Sequence, residues 1–277
     1  MVLMSALTVL MVGTAAWSLW VRKFTFSCLY ERAATSSIIF LTLATVLIST
    51  PVHGLLPVLP GHPLGFAGHV LTLIGIALII YIGLSRLADD ESIQAHFNQW
   101  VVLPLTVALP VLLLLYTESS APDHPPSTLL PVPIDFELRA YLTVLLTVKA
   151  SFLLLAGRIF CTLRGQSPSA TLDLCVGAIV LNLLGCATAA GTIISPSLRL
   201  FDAVWAAQVV GVILWNIAMA QSWKVRSRPI ALPLCNIVII QPEEDLCGHC
   251  PLQQCCPYEE NGETDGPVGS ASDMQDG

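Results

Sequence analysis

Five potential metal ligands lie within ten residues near the C-terminal end of the chain: Cys247, His249, Cys250, Cys255 and Cys256. Two cysteines separated by two residues, with further thiols close by, are typical of sites that hold zinc through four Cys or His ligands. The adjacent pair at 255 and 256 makes this set cramped, because neighbouring cysteines seldom both bind one ion, and the histidine can then replace one of them. The spacing therefore predicts zinc as one interpretation of this segment.

Two other interpretations of the same cysteines stay open. The string Cys247-Gly-His-Cys250 resembles the active site of protein disulfide isomerases, but no strand–helix framework surrounds it to activate a thiolate. The third interpretation is a set of ordinary reduced thiols, which are the rule in a cytoplasm. The segment around them, residues 229–277, carries nine acidic residues and no Lys or Arg. We expect this segment to be an acidic, largely disordered tail.

Lys149 has the clearest potential for chemistry in the apolar part of the chain. It lies near the middle of an apolar stretch, where a cation costs roughly 2.5 to 3.5 kcal/mol on membrane-insertion scales. Its candidate partners on later apolar stretches are Asn182 and Asn216, with Asp173 at a more distant depth. These residues predict a substrate or ion path, with Lys149, Asn182 and Asn216 as the binding residues. The alternative is a lysine that reaches the membrane surface, or a neutral lysine satisfied by Asn, Thr and carbonyl groups.

Small and polar residues share one helical face around Asn182. They recur at steps of three and four residues, which places them in line along a helix. Small residues in such a line allow the backbone of a neighbouring helix to approach closely. The members of this stripe are Thr171, Cys175, Ala178, Asn182, Gly185 and Ala189.

The composition determines what kind of protein positions these residues. Apolar residues make up 55% of the 277 residues and charged residues only 11%, against roughly 25% charged in an average soluble domain. So few charges cannot cover that much apolar surface in water, which excludes a soluble enzyme, a nucleic-acid-binding protein and a disordered chain. A multi-pass membrane protein remains, because a bilayer removes the need for a polar exterior. The lipid bilayer is thus its first expected partner.

Seven apolar stretches have the length of a membrane span, about 20 residues. Together they predict an all-α polytopic membrane protein with seven transmembrane helices in residues 1–228. Pro104 and Pro110 should kink the fourth helix. The predicted spans are Val2–Trp20, Ala33–Pro51, Phe66–Ser85, Trp100–Thr117, Ala140–Gly157, Ala170–Thr192 and Ala203–Trp223.

The distribution of Lys and Arg between the loops predicts the orientation. Nine basic residues, among them Arg22 and Lys23, fall on the side that includes the end of the seventh span. Only Arg139 and Arg199 fall on the other side. Positive residues favour the cytoplasmic loops, so we expect the N-terminus outside and the tail in the cytoplasm. The predicted location is the plasma membrane.

The layout resembles a group of uncharacterised actinobacterial seven-span membrane proteins with a cytoplasmic C-terminal part, some of which are labelled as transporters. The likeness depends on the span spacing, on the segment Leu59-Pro-Gly-His-Pro-Leu-Gly-Phe-Ala-Gly-His69, and on Leu200-Phe-Asp-Ala-Val-Trp205. It covers about residues 1–228 and implies no catalytic residues. It implies a bacterial plasma membrane as the host membrane.

The sequence favours a function without catalysis. No Gly-x-Ser-x-Gly, His-Glu-x-x-His or phosphate-binding glycine loop occurs in it. The histidines of residues 1–228 are not arranged as facing pairs at depth, which disfavours a haem or metal site there. We expect a sensing or partner-recruiting protein that contacts a cytoplasmic protein through its acidic tail, and no nucleic acid. The alternative is a small-solute transporter with a cavity around Lys149.

Overall fold

The structure is a computed structural model that describes residues 2–23, 29–49, 61–87, 90–119, 135–195 and 200–226. Every regular element within these ranges is helical, which confirms the predicted all-α class. The predicted tail, residues 229–277, lies outside the described residues. The helices are α1 (Val2–Val21), α2 (Leu29–Ile48), α3 (Gly61–Leu84), α4 (Asp90–Phe97), a π-helical turn (Asn98–Val102), α5 (Leu103–Glu118), α6 (Phe136–Gln166), α7 (Ala170–Ile194) and α8 (Phe201–Arg226).

Seven helical stretches in the described ranges are long and apolar enough to cross a membrane, as the sequence predicts. The fourth stretch, Glu91–Glu118, joins α4, the π turn and α5, and it begins well before the predicted Trp100. The fifth is α6, whose 31 residues span about 46 Å at 1.5 Å per residue. This length exceeds the roughly 30 Å of a hydrocarbon core. The helix also extends beyond the predicted span Ala140–Gly157 at both ends.

The fourth span is irregular at the first of its two prolines. Asn98–Val102 form the π turn directly before Leu103 and Pro104. A proline has no N–H to donate and its ring clashes with the carbonyl four residues earlier, and a local widening into a π turn makes room for it. The helix then continues through Pro110 to Glu118. The irregularity predicted for this span is therefore concentrated at Pro104.

Side-chain caps fix where two central helices begin. Asp135 accepts a hydrogen bond from the backbone N–H of Leu138 at 2.6 Å, at the start of α6. Ser169 accepts one from the backbone N–H of Leu172 at 3.3 Å, at the start of α7. Such caps satisfy N–H groups that the first helical turn leaves unpaired. They set the register of the two helices that carry Lys149 and Asn182.

Six helices form a closed ring, and α5 packs against its outside. Contacts run from α1 to α2, α3, α6, α7 and α8 in turn, and α8 closes the ring by packing on α1 and α2. Helix α5 packs mainly on α6. We call the end of the ring where α1, α3, α6 and α8 begin the N-face, and the opposite end the C-face.

The outer faces of the bundle are apolar. Only 22% of the first span and 22% of the fourth are buried within the protein. Large apolar side chains project from both spans, with exposures such as 72% for Val9 and 65% for Val107. Hydroxyl side chains within the helices donate to carbonyl groups of their own helix, as Thr14 does to Met11 at 2.8 Å. This combination of apolar exterior and internally satisfied polar groups is what hydrocarbon surroundings require.

Candidate functional site

Lys149 lies inside the ring, and no hydrogen bond or ion pair joins it to another residue that the structure describes. Its side chain is on the middle of α6 and the residue is 6% exposed. The more distant candidate partner, Asp173, instead pairs with Arg164 Nε at 2.6 Å. Leaving a buried cation without a counter-charge is strongly unfavourable in a protein interior. The arrangement therefore points to water or a ligand as the group that Lys149 contacts.

A cavity with two chambers opens beside Lys149. The inner chamber lies between α2, α3, α6, α7 and α8, and the outer chamber extends from Lys149 toward the N-face. Lys149, Thr72, Trp205 and Gln208 belong to the walls of both, so the chambers meet at the lysine. Their cavity volumes are about 30 Å³ for the inner chamber and about 90 Å³ for the outer chamber. The outer chamber has room for several water molecules.

The polar groups of the cavity gather at the level of Lys149. Gln208 from α8 and His69 from α3 face the outer chamber, and Asn182 from α7 faces the inner one. Thr72 donates to the carbonyl of Gly68 at 2.9 Å and has its oxygen lone pairs left to accept. No hydrogen bond joins Gln208 to another described residue. Among the described lining residues there is no Asp or Glu, so the lysine gives the cavity a positive character.

The rest of the outer chamber is apolar. Its wall above Lys149 consists of aliphatic side chains from α3, α6, α7 and α8, with Trp205 beside them. These side chains are Leu73, Leu142, Leu145, Leu146, Ile193 and Val204. A polar level below an apolar wall is the pattern of pockets that bind small amphipathic molecules.

A close approach of two helices holds Asn182 at the cavity. A Cβ atom placed on Gly211 of α8 would lie 2.1 Å from Asn182 Nδ2 and 3.1 Å from the carbonyl oxygen of Ala178. The amide of Asn182 donates to that same carbonyl at 2.9 Å. Gly185 likewise faces the backbone of Val204. The predicted packing of the small-residue stripe against a neighbouring helix is thus confirmed, and α8 is the neighbour.

Asn216 lies apart from the other predicted binding residues. It is fully buried and its Nδ2 is 3.5 Å from Thr42 Oγ1 of α2. Its Oδ1 has no hydrogen-bond partner among the described residues. It does not belong to the described lining of either chamber. The structure therefore brings Lys149 and Asn182 to one cavity but places Asn216 at the α2–α8 contact.

A buried arginine network closes the C-face and was not identified from sequence. Arg22 is 1% exposed. Its guanidinium pairs with Glu31, donates to the carbonyl of Met219 at 3.0 Å and lies 3.3 Å from Thr35 Oγ1. The network therefore joins the end of α1 to the start of α2 and the end of α8. A basic residue just after an apolar stretch usually belongs to a cytoplasmic loop. The sequence around Arg22 therefore did not indicate that this residue is buried.

Trp215 forms the floor of the inner chamber. Its indole Nε1 donates to Ser37 Oγ at 3.0 Å, and its ring meets Phe160 edge-on at 5.9 Å. The residue is 1% exposed. Together with the Arg22 network, this contact places two layers of buried, hydrogen-bonded side chains on the C-face side of Lys149.

The predicted zinc ligands Cys247, His249, Cys250, Cys255 and Cys256 lie outside the described residues, and the prediction is untested. Within the described ranges no three His, Cys, Asp or Glu side chains are grouped so that they could hold a metal ion. The described cysteines are free, with Cys161 exposed and Cys175 and Cys186 buried.

Comparison with known proteins adds no relative: no family model matches the chain, and neither a curated protein nor a solved structure is significantly similar to it. The resemblance to actinobacterial seven-span proteins therefore stays a prediction.

Proposed function

We propose that this chain is a membrane sensor that binds a small solute in the cavity at Lys149. The single observation that carries the proposal is the lysine itself, because it is a cation 94% buried that faces a cavity and pairs with no described residue. A buried charge of this kind in a membrane bundle marks a functional site. The function proposed here is non-enzymatic and needs no reaction of the solute.

The position of the outer chamber favours sensing. This chamber includes residues near the N-face ends of their helices, such as Ile193 of α7. Opening the C-face would require breaking the Arg22–Glu31 pair, and removing one partner of such a buried pair typically costs 3–5 kcal/mol. With the predicted orientation, the solute therefore comes from outside the cell and stays on that side.

Helix α8 supplies a physical connection from the cavity to the tail. It lines the cavity through Trp205, Gln208 and Trp215 and carries the Met219 carbonyl that Arg22 binds. It ends at Arg226, next to the acidic tail in the sequence. A solute that shifts α8 would thereby change the position of the segment that we expect to contact a cytoplasmic partner. This coupling is a hypothesis about one element that both sites share.

A small-solute carrier is the second candidate. It is favoured by the depth of Lys149, since carriers bind their substrates near the membrane midplane between two gates. A carrier needs the same cavity to open to the C-face as well. The two candidates thus differ in one measurable property, the sides from which the cavity can be reached.

Side-specific labelling of the full chain separates them. Gln208→Cys is expressed in membranes and treated with a charged, membrane-impermeant thiol reagent, in right-side-out and in inverted vesicles. The parent chain gives the background of the native cysteines, and Asn216→Cys is the matched control on the same helix, outside the cavity. A sensor gives labelling of Gln208→Cys above background from the N-face side only. Labelling from both sides would contradict the sensor and favour the carrier. Labelling from neither side would contradict both candidates.

A further inference from the structure

We infer that the solute bound at Lys149 is a small monocarboxylate with a short apolar chain. The inference rests on the proposed function, because it names the ligand class of the same cavity. Three features carry it: the charge at the meeting point of the chambers, the unused hydrogen-bonding groups beside that charge, and the apolar wall above it.

The positive charge of Lys149 favours an anion. Lys149 is buried with no described counter-ion, and Asp and Glu are absent from the described lining of both chambers. A bound cation or neutral molecule would leave the ammonium group uncompensated. A carboxylate compensates it and forms a charge-assisted hydrogen bond, which is about twice as strong as a bond between neutral groups.

The neighbouring groups suit a carboxylate in particular. Two oxygens need two donors, and Gln208 lies beside Lys149 in the walls of both chambers with an amide group that binds no described residue. Lys149 and Gln208 come from two different helices, α6 and α8, which both pack on α7, and both residues line the two chambers. His69 adds a ring nitrogen to the wall of the outer chamber, where its ring lies edge-on to that of Tyr141.

The walls require an apolar part of the ligand. From Lys149 toward the N-face the outer chamber presents Leu142, Leu145, Leu146 and Val204. Its space for several water molecules corresponds to a chain of a few carbon atoms, since a methylene group and a water molecule occupy similar volumes. An inorganic anion would leave this wall facing water. The ligand is therefore oriented with its carboxylate at Lys149 and its chain toward the N-face.

Ligand-dependent thermal stability of the purified full chain in nanodiscs tests the inference. The probes are sodium butyrate, butyramide, butylammonium chloride and sodium chloride, at matched ionic strength. Butyrate should raise the unfolding temperature with saturable concentration dependence, as a ligand of the folded state does. Butyramide, butylammonium and chloride should each bind at least about tenfold more weakly, which corresponds to the loss of one charged hydrogen bond or of the buried chain.

Variants assign the effect to the proposed atoms. Lys149→Met should weaken butyrate binding about 10- to 100-fold, and Lys149→Arg should retain part of it because the positive charge remains. Gln208→Leu should weaken binding several-fold, whereas Asn216→Leu, which removes an amide from the same helix outside the cavity, should not change it. Each variant's unfolding temperature without ligand shows whether it is folded.

The outcomes separate the ligand class from the function. If butyramide and butyrate bind equally well, or if Lys149→Met binds butyrate as the parent chain does, the inference that Lys149 binds an anion is wrong. If chloride and butyrate bind equally well, the inference that the ligand has an apolar chain is wrong. If Gln208→Cys is labelled from the N-face side and butyrate does not bind, the monocarboxylate is wrong while the solute cavity stands. If Gln208→Cys cannot be labelled at all, the proposed function itself fails.

Discussion

Replacing Lys149 by methionine should stabilise the protein in the absence of ligand. The lysine is 6% exposed and has no described partner, so the folded state carries an uncompensated charge near the middle of a span. Insertion scales assign such a charge roughly 2.5 to 3.5 kcal/mol. Water in the cavity relieves part of this penalty, which leaves a gain of about 1–3 kcal/mol on substitution. Methionine has a similar length and keeps the contacts of the aliphatic stem.

Arg22→Met is the matched control, because it also removes a buried cation. Arg22 pairs with Glu31 and donates to the Met219 carbonyl, so its loss leaves buried acceptors without a donor. We expect Arg22→Met to destabilise the protein by about 3–5 kcal/mol. The two substitutions should therefore have opposite signs, although each exchanges a buried cation for methionine.

The assay is equilibrium unfolding of the full chain in mixed micelles with increasing fractions of denaturing detergent, followed by circular dichroism. Lys149→Met should shift the midpoint to more detergent and Arg22→Met to less. Because methionine keeps the packing of the aliphatic stem, a destabilisation by Lys149→Met of more than about 1 kcal/mol would indicate that the lysine has a structural partner. That result would refute the reasoning that the charge is kept for a ligand.

Three further outcomes follow from the fold and the sequence. Gly211→Ala should destabilise the protein by about 1–3 kcal/mol and weaken ligand binding, because its Cβ would lie 2.1 Å from Asn182 Nδ2. Gly191→Ala, in open space on α7, should be neutral or stabilise the protein by up to about 1 kcal/mol in the same unfolding assay. Deleting residues 241–277 should leave butyrate binding unchanged and, if the tail cysteines and histidine hold zinc, should remove about one zinc ion per chain as measured by elemental analysis. A reporter fused after Gly277 should be active in the cytoplasm, and activity on the opposite side would contradict the predicted orientation.

The sequence predicted the seven spans because the hydrophobic signal is strong in membrane helices. It placed their ends less well where apolar residues alternate with polar ones. Helix α6 continues to Gln166 because residues beyond Gly157 still pack on their neighbours, as Ile159 does against Gly83 of α3. Such a contact joins residues far apart in the chain, and composition alone does not contain it.

The binding site was predicted in part, because depth was compared and helical face was not. Lys149 and Asn182 were found as polar residues at similar depth in apolar stretches. Asn216 was included as a polar residue of the last span although it lies deeper toward the predicted cytoplasmic side. It follows Gln208 by eight residues, which rotates it by about 80° around the helix axis. That rotation turns it from the cavity toward Thr42 of α2. A face analysis of α8 would have favoured Gln208, which shares a face with Trp205 at a spacing of three residues.

Arg22 illustrates why a charge tally and a structure can agree on topology while differing on chemistry. The residue lies at the C-face, and which side of the membrane that face meets stays a prediction. Its guanidinium, however, is buried and bound to Glu31, Thr35 and Met219 rather than solvated in a loop. The chain thus contains two buried cations with different surroundings, one bound by the protein at the C-face and one at mid-depth facing a cavity. In the proposed function, the first stabilises the C-face end of the bundle, and the second provides the charge that we expect a solute to bind.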